Sequence, residues 1–552
     1  LNLTLNNLNL DDLTPDPRIA HTLNLNFDDY GNVLQSVAVV YPRLGQFEDS
    51  TLSAESLTLI RQVQRESHLA YTETRFTNDV ETADSHRLRV PCEVLTYELT
   101  GISPEDADDR LTTDPRDNRY FTIAELRHFQ LSPVHQSEGE VVPEISYHQL
   151  PNRNTPQKRL VEHARSLFFK DDGAVLSNPL PLGRLGRLGL SYENYKLALT
   201  EDLLDSVFGA KLGADERGNL LNPLVSGYLS GAALATRFPG INTTGQYWIR
   251  SGIAGFEPDA AQHFYLPERY TDPFGNVTTL QYDLRDLYVL SSSDAMGNRT
   301  EVTDFDFRVL APRRMKDANW NLSEVRFDIL GMPAAIAVMG KGNEADNLNG
   351  FDDALLNPDL VTRQDFFVNQ DYNVAEAKRL LGGATARHVY YFGEVIVNGK
   401  VVWGQHPACA CGIVRERHAV DVLDPPVQCS FEYSDGMGSV VVKKVQAEPE
   451  AAGQPLRWVA NGRTILNNKG KAVKQYEPYF SSVGHRYEEP KEEGVTPIVY
   501  YDAAGRTVRT EMPDGSYSRV EFSPWYVKSY DPNDTAFNAD PTQRSDWYRR
   551  RM

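Results

Sequence analysis

The sequence predicts a mainly β protein, a long sheet of stacked hairpins interrupted by a small helical insertion. Three observations carry this. A tight-turn signature, Asp or Asn three residues before Gly, recurs seven times along the 552 residues. The residues after it alternate apolar and polar, the period of a strand with one face in water. A middle stretch departs from that alternation and spaces its apolar residues as a helix does.

The turns come first. They are "DDYGNVLQSVAVVY" (Asp28, Gly31), "DPFGNVTTLQYD" (Asp272, Gly275), "DAMGNRTEVTDFDF" (Asp294, Gly297), "DILGMPAAIAVMG" (Asp328, Gly331), "DGMGSVVVKKVQA" (Asp435, Gly438), "NNKGKAVKQYEPYF" (Asn467, Gly470) and "DAAGRTVRTEM" (Asp502, Gly505). An Asp or Asn at the first position bonds its side chain to N–H groups further along, and Gly supplies the positive φ that a side chain resists. "DANWNLSEVRFD" is a decayed copy, with Trp320 in the Gly position after Asp317. Asp272, Asp294 and Asp317 follow at about 22 residues, the spacing of one hairpin per unit in a stacked array. A lone hairpin is marginal in water, whereas a strip of them shares a buried face and hides its edges.

The last copy, "YYDAAGRTVRTEMPDGSYSRVEFSPWY" from Tyr500, predicts two strands across an Asp514-Gly515 turn. Val508, Thr510, Met512, Val520 and Phe522 fall on one face; Arg509, Glu511, Arg519 and Glu521 fall on the other, expected to be wet. Between the β portions, "TPQKRLVEHARSLFF" and "SYENYKLALTEDLLDSVFG" have helical spacing, with Ser191 and Glu193 as N-terminal signals of the second. The predicted organisation is a β-rich portion over residues 1–153, a helical interruption over 154–245 and a hairpin strip over 246–552. Within the strip, the polar "GKGNEADNLNGFDDALLNPDL" from Gly340 predicts an excursion from the sheet, and "DYNVAEAKRLL" a short helix.

Composition narrows the function. The formal charge of −20 argues against nucleic acid as a partner. No apolar run of about 18 residues exists, so membrane insertion by the chain itself is not expected. The first residues have neither a basic start nor an apolar core, so no signal peptide is visible, and the chain reads as an excised fragment. Four cysteines cannot form a disulfide framework and are expected to be reduced.

His406, Cys409, Cys411, His418 and Cys429 are soft donors of the kind zinc uses, but Cys-x-Cys is not the usual knuckle spacing, and buried thiols on strands account for them. No metal or cofactor is therefore expected. "GRLGRLGL" at Gly183 lacks the Lys-Ser/Thr of a phosphate loop and reads as a turn leading into Ser191. Acidic pairs such as Asp108 with Asp109 and Asp352 with Asp353 are unavoidable among 76 acidic residues. With no nucleophile elbow or metal-binding helix, no catalytic residue is assigned and the chain is expected not to be an enzyme. Rings such as Tyr282, Phe305, Tyr479 and Tyr517 could stack on sugars, but strand pairing is the stronger reading.

The turns resemble RHS/YD repeats. The ordered segments "PDPRIAHTLNLNFDDYGNVLQSVAVVYPR", "LPLGRLGRLGLSYENYKLALT", "FYLPERYTDPFGNVTTLQYD", "FDFRVLAPRRM", "YSDGMGSVVVKKVQAEP", "NNKGKAVKQYEPYFSS" and "WYVKSYDPNDT" resemble, over nearly the whole chain, the C-terminal part of the B component of Tc insecticidal toxin complexes. The resemblance implies a long curved RHS sheet forming part of a hollow shell. That shell would be closed with a C-type RHS toxin component and would enclose its toxic segment before translocation. It also implies an extracellular toxin complex, with the A-type pore component engaged only through parts absent here. The self-cleaving motif of the C component is not matched. An adhesive RHS/YD module binding surface glycans or proteins is the alternative.

Overall fold

A computed structural model describes residues 19–43, 47–104, 120–171, 176–341, 344–524, 527–536, 542 and 544–551. It is mainly β, in antiparallel sheets joined by hairpins, with short helices. The chain divides into two compact units, one of Leu1–Thr278 with Tyr500–Met552 and one of Thr279–Val499. These boundaries do not coincide with the three portions read from the sequence.

The first unit is built on a sheet in the order Ala20–Phe27, Val33–Val40, His68–Phe76, Pro91–Thr100, Gln157–Phe168, Ser191–Thr200, Gln246–Arg250 and Leu229–Ser230. Alternate residues Leu23 and Leu25, Val37 and Val39, Leu69 and Tyr71, and Tyr97 and Leu99 are buried and pack into one cluster. The short helix Ile123–Arg127 closes over it with Leu126, held in place by a capping box in which Thr122 and Glu125 satisfy each other's backbone N–H. Each such apolar side chain contributes about 1.5–3 kcal/mol when fully buried.

The helices expected from "TPQKRLVEHARSLFF" and "SYENYKLALT" are strands instead, Gln157–Phe168 and Ser191–Thr200, paired antiparallel from Ala164↔Lys196 to Phe168↔Ser191. The reason is electrostatic. The inward positions of these strands hold His163, Arg165 and Glu193, all buried. Polar residues on the core face erase the apolar alternation that marks a strand, and the remaining leucines and tyrosines fall by chance at helical spacing. Glu193 is accordingly no helix-start signal; its carboxylate accepts from Tyr195. Helix does occur in the predicted interval, as short pieces between Glu201–Leu203 and Gly231–Leu234.

Near the other end of the chain, strand Ile498–Tyr501 leads into Thr507–Glu511, Tyr517–Phe522 and Val527–Tyr530, a small antiparallel sheet. The face expected to be wet is only partly so: Arg509, Glu511, Arg519 and Glu521 are half-buried. Arg509 pairs with Arg519 and Glu511 with Tyr517, which is 5% exposed. The Arg509 guanidinium lies 3.9 Å from the Tyr517 ring centre and that of Arg519 4.3 Å from Tyr530. Arginine stems and planes cover the rings, so charge and burial coexist on one face.

The second unit carries an antiparallel succession of Val289–Ser293, Arg299–Asp306, Ala311–Lys316, Leu322–Phe327, Pro333–Gly340, Ala386–Tyr391, Ala408–Arg415, Val427–Ser434, Val440–Ala447, Arg457–Ala460 and Tyr479–Phe480. Between Pro333–Gly340 and Ala386–Tyr391 the chain leaves the sheet and forms Asp353–Leu356, Leu360–Gln364 and Val374–Leu381. Phe366, Phe367, Leu380 and Leu381 from this excursion pack on Val389, Tyr391, Ile413 and Phe431 of the sheet. Arg387, 1% exposed, fastens the two layers by donating to the carbonyls of Ala334, Leu355 and Leu356.

Candidate functional site

The recurring turn has a common geometry. At Asp272, Oδ1 accepts from the N–H of Phe274 and Asn276 at 2.9 and 2.8 Å, and the Asn276 side chain donates to Oδ2 at 2.9 Å. The Gly275 N–H donates to the Asp272 carbonyl, and the Asp272 N–H to that of Asn276. Asp28, Asp294 and Asp317 repeat the set with Asn32, Asn298 and Asn321. The bond from the Asn side chain holds the carboxyls of Asp272, Asp294 and Asp317 below the usual carboxylate range. Gly31, Gly275, Gly297, Gly331, Gly438, Gly470 and Gly505 lie at φ between 72° and 87°, and Trp320 takes the same conformation at 71°. Asp435, Asn467 and Asp502 accept from the N–H four residues on at 2.9, 3.1 and 2.9 Å, and Asp328 at 2.8 Å.

Two further turns carry no Gly. Asp283 accepts from Leu287 N–H at 2.6 Å with Asp286 at φ 58°, and Asp306 accepts from Arg308 N–H at 2.9 Å with Leu310 at φ 53°. The turn acids therefore recur at 272, 283, 294, 306, 317 and 328, every 11 or 12 residues. The 22-residue spacing is one full hairpin, and consecutive turns lie at opposite ends of the strands.

Between these turns the strip presents two chemically different faces. The registers Glu301↔Lys316 and Arg314↔Glu324 set one face. It carries ion pairs Arg299–Glu301 at 2.9 Å, Arg314–Glu324 at 3.5 Å and Arg326–Glu324 at 2.7 Å. The registers Val302↔Met315 and Val325↔Ile336 set the other, more apolar face. From Val289 to Phe327 only Ser291 and Val302 are deeply buried among the strand residues, so both faces of this segment keep access to solvent. The charged face continues through Arg326↔Ala335 into the part of the sheet that the helical excursion covers.

Two buried carboxylates elsewhere are surrounded by partners. Glu93 accepts from His163 Nε2 at 2.7 Å, Arg165 at 2.6 Å and Arg75 at 2.9 Å. Burial alone would favour its neutral form, but these donors hold its carboxyl down to about 2. Asp346 accepts from Thr385 Oγ1 at 2.8 Å, from Ala419 N–H and from His418 Nδ1, both at 2.9 Å. Each carboxylate ties neighbouring segments together.

Of the soft donors, Cys411 and Cys429 are hydrogen-bonded neighbours, but the set as a whole does not converge. Cys409, Cys411 and Cys429 lie inside the apolar cluster of the second unit, where burial pushes the thiols of the first two up. His418 is engaged by Asp346, and the His406 ring lies 6.3 Å from that of Tyr391. Among the described residues no group of three metal-binding side chains is brought together. Gly183 is a turn at φ 80°, leading to a strand and not to a helix. Asp352 caps Asp353–Leu356 by accepting from Leu355 N–H at 2.8 Å, while Asp108 and Asp109 lie outside the described residues.

The described residues form hairpin-built antiparallel sheets whose recurring feature is this turn. The family model "Insecticide toxin TcdB middle/C-terminal region" matches residues 7–89. No curated protein matches the chain. By fold the chain is similar to the crystal structure of TcdB2–TccC3, at 18% identity and TM-score 0.52, over 95% of this chain and 23% of that one. It is similar also to the Tc holotoxin pore of Photorhabdus luminescens, at 17% identity and TM-score 0.55, over 95% of this chain and 25% of that one. The chain thus spans about a quarter of the length of the structures it matches. The family model supports the resemblance to part of a Tc toxin B component over residues 7–89, and the solved structures support the fold it implies over 95% of the chain.

Proposed function

We propose that this chain is a section of the wall of a Tc-type shell, a non-enzymatic container that encloses a toxic segment of a C-type RHS partner before translocation. The observation that carries the reading is the segment from Val289 to Phe327, thin, regular and accessible on both faces, one charged and one more apolar. A wall needs one face for solvent and another for its contents, and alternation along a strand lets the two be set independently. The complexes named in the matched structures, TcdB2–TccC3 and a Tc holotoxin pore, support the same partners here. On this reading the chain works extracellularly, and an A-type pore component is engaged through other parts of the assembly.

Co-expression with a C-type RHS protein, followed by limited proteolysis, tests it. The C-terminal segment of the partner should resist protease in the complex and be digested when the partner is expressed alone. Equal sensitivity in both states refutes the container.

A further inference from the structure

The first unit contains a slot that the wall reading does not use. Strands Gln157–Phe168 and Ser191–Thr200 are paired from Phe168↔Ser191 only as far as Ala164↔Lys196. Beyond that point they part. The far side of the first strand still pairs with Pro91–Thr100, and the far side of the second with Gln246–Arg250, so neither strand ends where the pairing does. Both carry a register shift here, at Val161 in the one and at Ala198 in the other. Facing irregularities of this kind bend two strands away from each other.

The result is a cleft of about 570 Å³, lined by consecutive residues 160–163 of one strand and 197–200 of the other. Consecutive residues point to opposite faces of a sheet, so a space lined by four in a row on each side lies in the plane of the sheet, between two main chains. At one end the strand Glu144–Ile145 runs parallel to Lys158 and Arg159 and already fills part of the place a strand would take. The four-residue edges leave room for about 13 Å of extended chain at 3.3 Å per residue.

We propose that this slot is a strand-addition site for an extended, basic peptide segment of a partner protein. Main-chain pairing with an unpaired edge supplies the affinity in this mode of recognition, and side-chain pockets select the sequence. Charge selects the occupant. The lining carries Glu144, Glu162 and Asp202 and has no lysine or arginine, while Leu160, Val161, Leu197 and Leu199 give it an apolar wall. Glu162 is paired with Lys196 at 2.6 Å where the strands rejoin. Asp202, which accepts from Ser146 Oγ at 3.3 Å, and Glu144, whose register partner is Lys158, face the incoming basic side chains, and alternate apolar residues fit between the leucines. The proposal does not depend on the container reading.

The test is fluorescence anisotropy of the full chain with a labelled acetyl-Lys-Val-Lys-Val-Lys-Val-amide peptide. Saturable binding that weakens with added salt is expected, with no binding of the Glu-Val counterpart. Methylating the peptide's alternate amide nitrogens on one edge should weaken binding tenfold or more, as should the double substitution Glu144→Lys with Asp202→Lys. Both substituted positions lie at the rim, and circular dichroism checks that the variant is folded. Absence of binding, or binding indifferent to N-methylation or to charge reversal, overturns the site. Concentration-dependent dimerisation that Asp202→Lys abolishes and the peptide leaves intact also overturns it, assigning the slot to a second copy.

Discussion

His485 makes the second unit sensitive to acid in a way that can be calculated. It is 1% exposed and packs against Phe431 and Trp458, with ring centres 4.7 and 5.8 Å away. Its Nε2–H donates to the Phe366 carbonyl at 2.9 Å, tying the helical excursion to the sheet in the neutral tautomer. Burial, opposed by the bond to the Phe366 carbonyl and by Asp371 and reinforced by Arg486 and Lys444, pushes its pKa from 6.5 to about 4. Between those values the unfolded chain binds a proton that the folded chain refuses, so stability is complete above 6.5 and is lost as pH falls toward 4. At about 1.4 kcal/mol per pH unit in that window, the loss from pH 7 to pH 5 is about 2 kcal/mol. Urea unfolding followed by tryptophan fluorescence at the two pH values measures it. His485→Gln keeps an N–H for the Phe366 carbonyl and cannot titrate. The wild type should lose about 2 kcal/mol more than the variant over this range, and equal losses refute the argument.

Other consequences are as direct. Gly297→Ala should cost about 1 kcal/mol for its φ of 84° alone, and Gly331→Ala more, because a Cβ there would meet Val309 Cγ1 at 2.7 Å; thermal melts of the pair should rank in that order. Asp346→Ala removes a carboxylate that satisfies Ala419 N–H, Thr385, His418 and the largely buried Arg415, and should destabilise by about 3 kcal/mol in denaturant unfolding. The thiols of Cys92, Cys409, Cys411 and Cys429 are all buried, so in the native state they should react with an aromatic disulfide reagent far more slowly than in urea, and neither zinc nor a chelator should shift the melting temperature.

How much of this was legible in the sequence depended on whether the cause was local. Gly31 or Gly505 announces its turn because one residue must take positive φ and one Asp must reach an N–H a few positions along. The same turn at Asp286 and Leu310 is silent residue by residue. It is visible only in the spacing, since Asp283 and Asp306 fall midway between acids already found. Strand Gln157–Phe168 was misread because His163 and Arg165 face inward to Glu93, about 70 residues away in sequence. A charged residue whose partner is remote looks like a solvent position. The link of Asp346 to His418 spans 72 residues and has no local signature, nor does a slot made by register shifts in the pairings of two strands with their outer neighbours.

The second unit contains its own control for what stabilises a hairpin sheet. Ala408–Arg415 and Val427–Ser434 bury alternate residues under the helical excursion, including Cys411, Ile413 and Phe431 at 0% exposure. Arg299–Asp306 and Ala311–Lys316 have the same antiparallel pairing and the same kind of turn, yet only Val302 is deeply buried. Their exposed ion pairs contribute at most about 1 kcal/mol each, against about 1.5–3 kcal/mol for each covered apolar side chain. Turn chemistry fixes where the chain reverses, but burial determines how often the strands open. Native-state hydrogen exchange should therefore show amides of 299–316 opening at lower free energy than those of 408–434. If a C-type partner encloses its cargo against this segment, complex formation should slow exchange in 299–316 selectively. Equal protection of the two segments in the isolated chain would mean that the turns and ladder bonds alone suffice, and would remove burial as the source of the difference.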